Sequence, residues 1–243
     1  MSGHSKWAQI KHKKASTDAK RGREFSKLVR EITVAAKTSG TSEDSNPRLR
    51  AAIERARSVG LPKDNIERAL AKASGGENDV KLEEFLYEAT APHGLFMLVE
   101  GITDNRNRTL AEIKKILLEN NGKLADPGSI IWNFTKIGII ELSLADQPKG
   151  AEDVEDAIIE SGAQNMERFG NIWMVETKFE EYELVRKELE RRRIKIKSSG
   201  HEYKAGSAVS LTAEEKSSIE PLLDLLTEQD DVQEVYTNLQ ERS

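Results

Sequence analysis

The chain has 243 residues, with 37% hydrophobic and 33% charged side chains, which suits two or three well-solvated folded modules and excludes a wholly disordered polypeptide. It contains no cysteine, which removes disulfide frameworks, thiolate zinc sites and cysteine nucleophiles together. The net charge of −5 divides unevenly, since residues 1 to 75 hold 17 Lys/Arg against 8 Asp/Glu, or +9, and leave 20 against 34, or −14, for the remainder.

The positive charge is densest at the start, with nine Lys/Arg against two acids in the first 30 residues. In His4-Ser5-Lys6-Trp7-Ala8-Gln9-Ile10-Lys11-His12-Lys13-Lys14 an aromatic able to stack on a base sits among cations able to neutralise phosphates. With Lys20, Arg21 and Arg23 the segment reads as a basic arm that meets a polyanion. A solvated tail whose Trp7 docks on the body is the alternative. The first residues lack the apolar stretch of a secretory signal, and no apolar run approaches the roughly 18 residues of a membrane helix. A cytoplasmic protein without a membrane partner is therefore expected.

Three helices follow. Phe25, Leu28, Val29, Ile32 and Ala36 recur at helical spacing between Glu24 and Lys37, and Ser39-Gly40 supplies the stop. Asn46-Pro47 reads as an N-cap with proline at the first helical position, Leu49, Ile53, Ala56 and Val59 share a face, and Gly60 ends the helix. Leu61-Pro62 repeats the start signal ahead of Ile66, Ala69, Leu70 and Ala73. Residues 22 to 75 thus read as a three-helix bundle. Arg48, Arg50, Arg55 and Arg57 flank the apolar face of its second helix; Arg48 and Arg55 are candidates to widen the basic surface, and ordinary solvent-facing arginines are the alternative.

Beyond Gly76 the period changes to short β-type runs at Phe85 to Tyr87 and Leu95 to Val99. A helix from Thr109 to Asn120 and a strand over Ile130 to Phe134 complete a β-α-β unit. A second is read at the C-terminus, with a strand at Ala208 to Leu211, a helix at Ala213 to Thr227 and a strand at Val232 to Thr237. Two such halves make a ferredoxin-like module. Between them, from about Lys136 to Tyr203, lies a further set: strand Ile137 to Leu144, helix Glu152 to Ser161, strand Ile172 to Thr177, helix Glu180 to Arg193 and a short strand near Ile194 to Lys197. The expected fold class is therefore α+β, a helical N-terminal domain followed by a ferredoxin-like α/β domain that carries a second, inserted α/β domain. The expected domains are 1-75, 76-135 with 204-243, and 136-203.

Thr103-Asp104-Asn105-Arg106-Asn107-Arg108-Thr109 links a strand end to a helix start, with Thr109 and Glu112 at capping-box spacing. Arg106 and Arg108 beside a helix N-terminus are candidates to hold an anion, against the alternative of a polar loop that closes on its own side chains. Asp230-Asp231 reads as a turn ahead of the last strand. Phosphate-loop, dinucleotide, nucleophile-elbow and H-E-x-x-H motifs are all missing, and His4, His12, His93 and His201 show no paired spacing for a metal. Glu152, Asp153, Glu155 and Asp156 crowd a helix start, where acids suit the dipole. No cofactor, metal or small-molecule substrate is expected. A carboxylate hydrolase and a protein-protein scaffold without nucleic-acid contact are the rival classes.

Six segments in order carry a resemblance: Gly3-His4-Ser5-Lys6-Trp7 with Ile10-Lys11-His12, Asp18-Ala19-Lys20-Arg21-Gly22, Asn46-Pro47-Arg48-Leu49-Arg50, Pro62-Lys63-Asp64-Asn65-Ile66-Glu67-Arg68-Ala69, Thr103 to Thr109, and Asp231-Val232-Gln233-Glu234-Val235-Tyr236. On these the chain resembles the YebC family, which also includes the mitochondrial translational activator of cytochrome oxidase. The resemblance implies one helical and two α/β domains, no enzymatic activity, and a role described in two ways, as DNA-binding transcriptional regulators and as ribosome-associated translation factors. The partner implied is nucleic acid, DNA or ribosomal RNA. A base-reading transcription factor would want a recognition helix and spaced half-sites; neither is identified, which favours RNA and the ribosome. Where the family usually has a Gly-rich run after its Tyr-Glu pair, this chain has Tyr87-Glu88-Ala89-Thr90-Ala91-Pro92-His93-Gly94, and no role is carried over to that loop.

Overall fold

The computed structural model describes residues 18–75, 81–148 and 150–240, and the fold they form is α+β. In chain order the elements are α1 (Asp18–Ser39), α2 (Pro47–Ser58), α3 (Lys63–Ala73), β1 (Glu83–Ala91), β2 (Leu95–Thr103), α4 (Arg106–Glu119), β3 (Lys123–Leu124) and β4 (Phe134–Ser143). There follow α5 (Ala151–Glu160), β5 (Asn165–Phe169), β6 (Ile172–Lys178), α6 (Tyr182–Arg191), β7 (Ser198–Ala205), α7 (Ala213–Glu228) and β8 (Val232–Thr237). Two compact units result. One joins the chain up to Val34 with Gly75–Thr135 and Tyr203 onward, and the other joins Ala35–Ser74 with Lys136–Glu202.

In the first unit the sheet order is β3-β1-β2-β8, with β1 and β2 an antiparallel hairpin. One face packs Phe85, Ala89, Leu95, Met97 and Val99 against Ile113 and Leu117 of α4 and Ile219, Leu222 and Leu226 of α7. Burial of each such large side chain contributes about 2 kcal/mol. The other face is covered by a smaller cluster of Leu98, Ile130, Phe134 and Tyr236. The arrangement is ferredoxin-like in space but not in chain order. β2-α4-β3 is one β-α-β run and α7-β8 closes the other, while the strand that would stand in the middle of the sequence is β1, at the front.

The second unit holds the inserted module, with sheet order β5-β6-β4-β7. Here β4-α5-β5-β6-α6-β7 follows the β-α-β-β-α-β pattern without permutation. Ile140, Leu142, Trp173 and Val175 of the sheet pack on Val154, Ala157 and Ile158 of α5 and Val185 and Leu189 of α6. In the same unit the Asn46 side chain ties the end of α1 to the start of α2. Its Nδ2 donates to the carbonyls of Ala35 (2.8 Å) and Gly40 (2.7 Å), and its Oδ1 accepts from Leu49 N at 3.0 Å. Glu54 of α2 accepts from Arg186 of α6 at 2.7 Å and from Ser199 of β7 at 3.0 Å.

Several local expectations are corrected. The strand expected over Ile130 to Phe134 is a 3-10 turn, Ile131–Asn133, because the Glu88 carboxylate takes the N-H groups of Ile130 and Ile131 that a ladder would need. The strand that follows α4 is the two-residue β3 instead. Ala208 to Leu211 makes only a bridge, Val209 to Leu239, since Thr212 immediately caps α7. Ile194 to Lys197 is not a strand: Ile194 is drawn into the core and Lys195 is held by Gln147, so pairing begins at Ser198. β5 carries too little alternation to be read from sequence, and its register comes from the tight turn at Gly170, where φ is 61°. The capping box is at Thr212 and Glu215, not at Thr109 and Glu112; Asn105 caps α4 by accepting from Arg108 N.

The pairing of β2 with β8 slips between Glu100 and Gly101, and a Cβ at Gly101 would fall on the Asp231 carbonyl and the Phe85 ring. Gly101→Ala should therefore lower stability by about 2 kcal/mol or more through overpacking. Gly200→Ala, where nothing lies within 4 Å of the added carbon, should stay within about 0.5 kcal/mol of the parent. Urea unfolding of both variants checks the contrast.

Candidate nucleic-acid interface

Of the residues expected to meet nucleic acid, Lys6, Trp7, Lys11, His12, Lys13 and Lys14 lie outside the described residues. Lys20, Arg21 and Arg23 stand in the first turns of α1. Lys20, Arg23, Lys27 and Arg30 are spaced three, four and three residues apart, so they form one stripe along that helix. Lys20 lies 2.9 Å and Arg23 3.8 Å from Glu228, and Lys27 donates to the Thr227 carbonyl at 2.7 Å. The last turn of α7 has no basic residue of its own. Cations from α1 therefore complement the negative end of its dipole. Arg21, on another side of α1, lies 5.4 Å from the centroid of the Phe25 ring.

The stripe ends on Asp231, which is 1% exposed. One carboxylate oxygen accepts from Arg30. The other accepts from Thr109 Oγ1 (2.5 Å), Arg108 Nη2 (2.8 Å) and Thr103 Oγ1 (3.1 Å). Arg30 also donates to the Asp230 carbonyl at 3.0 Å, and Arg108 to Asp104 at 2.7 Å. Burial pushes the Asp231 carboxyl toward its protonated form, but the Thr109 and Arg108 hydrogen bonds and the nearby Arg30 charge outweigh it and hold the group below its usual range. The Asp230-Asp231 turn expected ahead of the last strand forms as read, directly before β8. Asp230 is exposed, whereas Asp231 is the buried acceptor that joins α1, the end of β2 and the first turn of α4.

Arg108, expected to hold an external anion, is instead taken up by Asp104 and Asp231. Arg106 is exposed, with its guanidinium 6.0 Å from the centroid of the Tyr87 ring. In the other unit Arg55 is exposed and Arg48 half-buried, and both interact with further groups of the protein. The structure therefore pairs Lys20 and Arg23 with Glu228, and Arg108 with Asp104 and Asp231. Arg30, Thr103, Thr109 and Asp231 were missed by sequence reasoning. Their signal is faint: two threonines six apart at a strand end, and an acid just ahead of a strand. With its oxygens engaged by four donors, Asp231 is unsuited to serve as a catalytic base. Among the described residues no group of three or more His, Asp or Glu is placed to hold a metal, and no helix is long and apolar enough to cross a membrane.

Comparison with known proteins bears on the whole chain. Residues 5–76 match the family model described as the TACO1/YebC protein N-terminal domain, and residues 82–239 match that of the TACO1/YebC second and third domain. A Chlorobium luteolum protein named "Probable transcriptional regulatory protein" is 41% identical over 241 residues, covering 99% of this chain and 96% of its own. A Corynebacterium glutamicum protein with the same designation is 40% identical over 240 residues, covering 98% and 95%. The crystal structure of a conserved hypothetical protein from Aquifex aeolicus superposes with a TM-score of 0.85 at 38% identity, over 97% of this chain and 96% of that one.

Asp231→Asn removes the charge that the two arginines share and should cost about 2 kcal/mol at neutral pH. Because the folded carboxyl titrates below its unfolded value, its contribution is present above the unfolded pKa and lost as pH falls through the folded one. Urea midpoints measured from pH 7 down through the carboxylate range should therefore converge for parent and variant at the acid end.

Proposed function

The chain belongs to the TACO1/YebC family, and from that premise we propose that it is a non-catalytic, nucleic-acid-binding regulator of gene expression in the cytoplasm. The designation of its relatives as transcriptional regulatory proteins supports the regulatory half of this reading. The charge distribution carries the nucleic-acid half, with +9 in residues 1 to 75 on a body of −14. The inward stripe of α1 is engaged by α7 and Asp231, which leaves the cations ahead of Asp18, with Trp7 among them, as the main contact. Interleaved lysines and an aromatic suit a flexible single strand, so RNA, as a transcript or on the ribosome, is the favoured target over duplex DNA.

The inserted module supports the same division. The central strands of its sheet turn Ile139, Glu141, Met174 and Glu176, on the side away from the core, into a mixed apolar and acidic face. Sheet readers of RNA use aromatics at such positions. The three-domain division, 1-75, 76-135 with 204-243, and 136-203, is part of this reading, and the break between the two matched family segments supports its first boundary.

The test is the salt dependence of binding. On single-stranded RNA, log K should fall against log salt by about 0.7 per phosphate contact. Reversing Lys11, Lys13 and Lys14 to Glu should flatten that slope by several contacts, while reversing Lys178, Lys187 and Lys195 in the inserted module should leave it nearly unchanged. Equal losses in the two triple variants would sink the arm as the binding surface. A parent protein that binds neither RNA nor duplex DNA would point to a protein-protein scaffold.

A further inference from the structure

Trp132 is 71% exposed, yet the turn that carries it is tightly built. Glu88, a β1 residue only 8% exposed, accepts from the backbone N-H groups of Gly128 (2.5 Å), Ile130 (2.5 Å) and Ile131 (2.9 Å), and its own carbonyl accepts from Ala125 N at 2.8 Å. At the other end Asn133 accepts from Ser207 N (3.0 Å) and Ser207 Oγ (2.6 Å) and holds Gly206 N at 2.6 Å. The indole N-H donates to the Ser129 carbonyl at 2.7 Å, which fixes the ring. A large aromatic held in one orientation in water loses little freedom on binding, and tryptophan is the side chain most enriched where partners anchor.

The hydrogen-bond inventory of this turn selects the partner. The backbone N-H groups of Gly128, Ser129, Ile130 and Ile131 and the indole N-H are all engaged inside the protein. What the turn offers outward is the π face of Trp132 and the exposed Asp126 carboxylate, which has no partner among the described residues. Asp126 is close by connectivity, since Ser129 N and Oγ both donate to its carbonyl at 3.1 and 2.6 Å. An exposed indole and an exposed carboxylate on one short turn disfavour phosphate and match a guanidinium, a planar cation that stacks on indole and donates from its edge. We propose that the Asp126–Trp132 turn docks an arginine of a basic protein partner, a contact separate from the nucleic-acid arm.

The test uses the full chain and three probes: a disordered peptide of alternating arginine and glycine, its lysine-glycine counterpart, and single-stranded oligouridine. Trp132→Ala should weaken the arginine peptide about fivefold or more. Trp132→Phe should retain part of the affinity and Asp126→Asn should lose part of it. Oligouridine binding should not respond to Trp132→Ala, and arginine-peptide binding should survive the Lys11, Lys13 and Lys14 reversal. Thermal melting of Trp132→Ala should match the parent, as befits an exposed side chain, and Trp132→Phe serves as the folded reference if it does not. Unchanged arginine-peptide affinity in Trp132→Ala overturns the proposal, as does an equal dependence of the lysine peptide on Trp132. Loss of oligouridine binding in Trp132→Ala would overturn it in favour of a stacked base. Failure of the arm reads out separately, in the response of oligouridine to the lysine reversals.

Discussion

A charge removed from water must find partners within the protein, and Asp231 finds four of them, one near residue 30 and three between residues 103 and 109, all more than a hundred positions from it in the chain. Arg30 comes from the middle of α1, Thr103 from the end of β2, and Arg108 and Thr109 from the first turn of α4. The carboxylate thereby fixes the helix that continues the basic arm against the end of the outer sheet. It also decides how positive charge is used. Arg30 and Arg108, which look like free cations in the sequence, are neutralised in place, and the same side of α1 reaches the end of α7 through Lys20, Arg23 and Lys27.

Acidic side chains serve as internal acceptors elsewhere in the body as well. Glu88 organises a loop by collecting backbone N-H groups, and Glu54 holds a nearly buried Arg186 together with Ser199. Of these acceptors Glu88 and Asp231 belong to residues 76 to 243, so part of the carboxylate excess there is structural. The charge that remains is uneven along the chain, −14 over residues 76 to 243 against +9 over residues 1 to 75. The exposed indole of Trp132 belongs to that acidic part of the sequence.

Both sheets have the same spatial order, with helices on one face, although the chain reaches that order by two routes. The inserted module follows it in sequence, whereas the outer module borrows its inner strand from the front. Interrupting the outer module between β3 and α7 leaves its core intact, because Leu95, Met97 and Val99 of β2 lie beside both helices regardless of what the chain does in between. The same sheet tolerates the slip at Gly101 because no side chain occupies the space that Asp231 and Phe85 need.

Much of this was legible from residue order. Helix spacing at Leu49, Ile53 and Ala56, the Asn46-Pro47 cap and the apolar runs of β2 and β8 depend on near neighbours, and the structure keeps them. What the sequence left undecided required partners distant in the chain. Ile130 and Ile131 carry strand propensity and yet form a turn, since Glu88, some forty residues earlier, takes their N-H groups. Asp231 reads as a turn residue and is one, but nothing within several positions reveals the two threonines and two arginines that surround its side chain. Periodicity and capping are properties of one segment and are written in it. The protonation, burial and pairing of an ionisable group are set by what folding brings within about 3 Å of it, and for Asp231 and Arg108 only the tertiary structure supplies that.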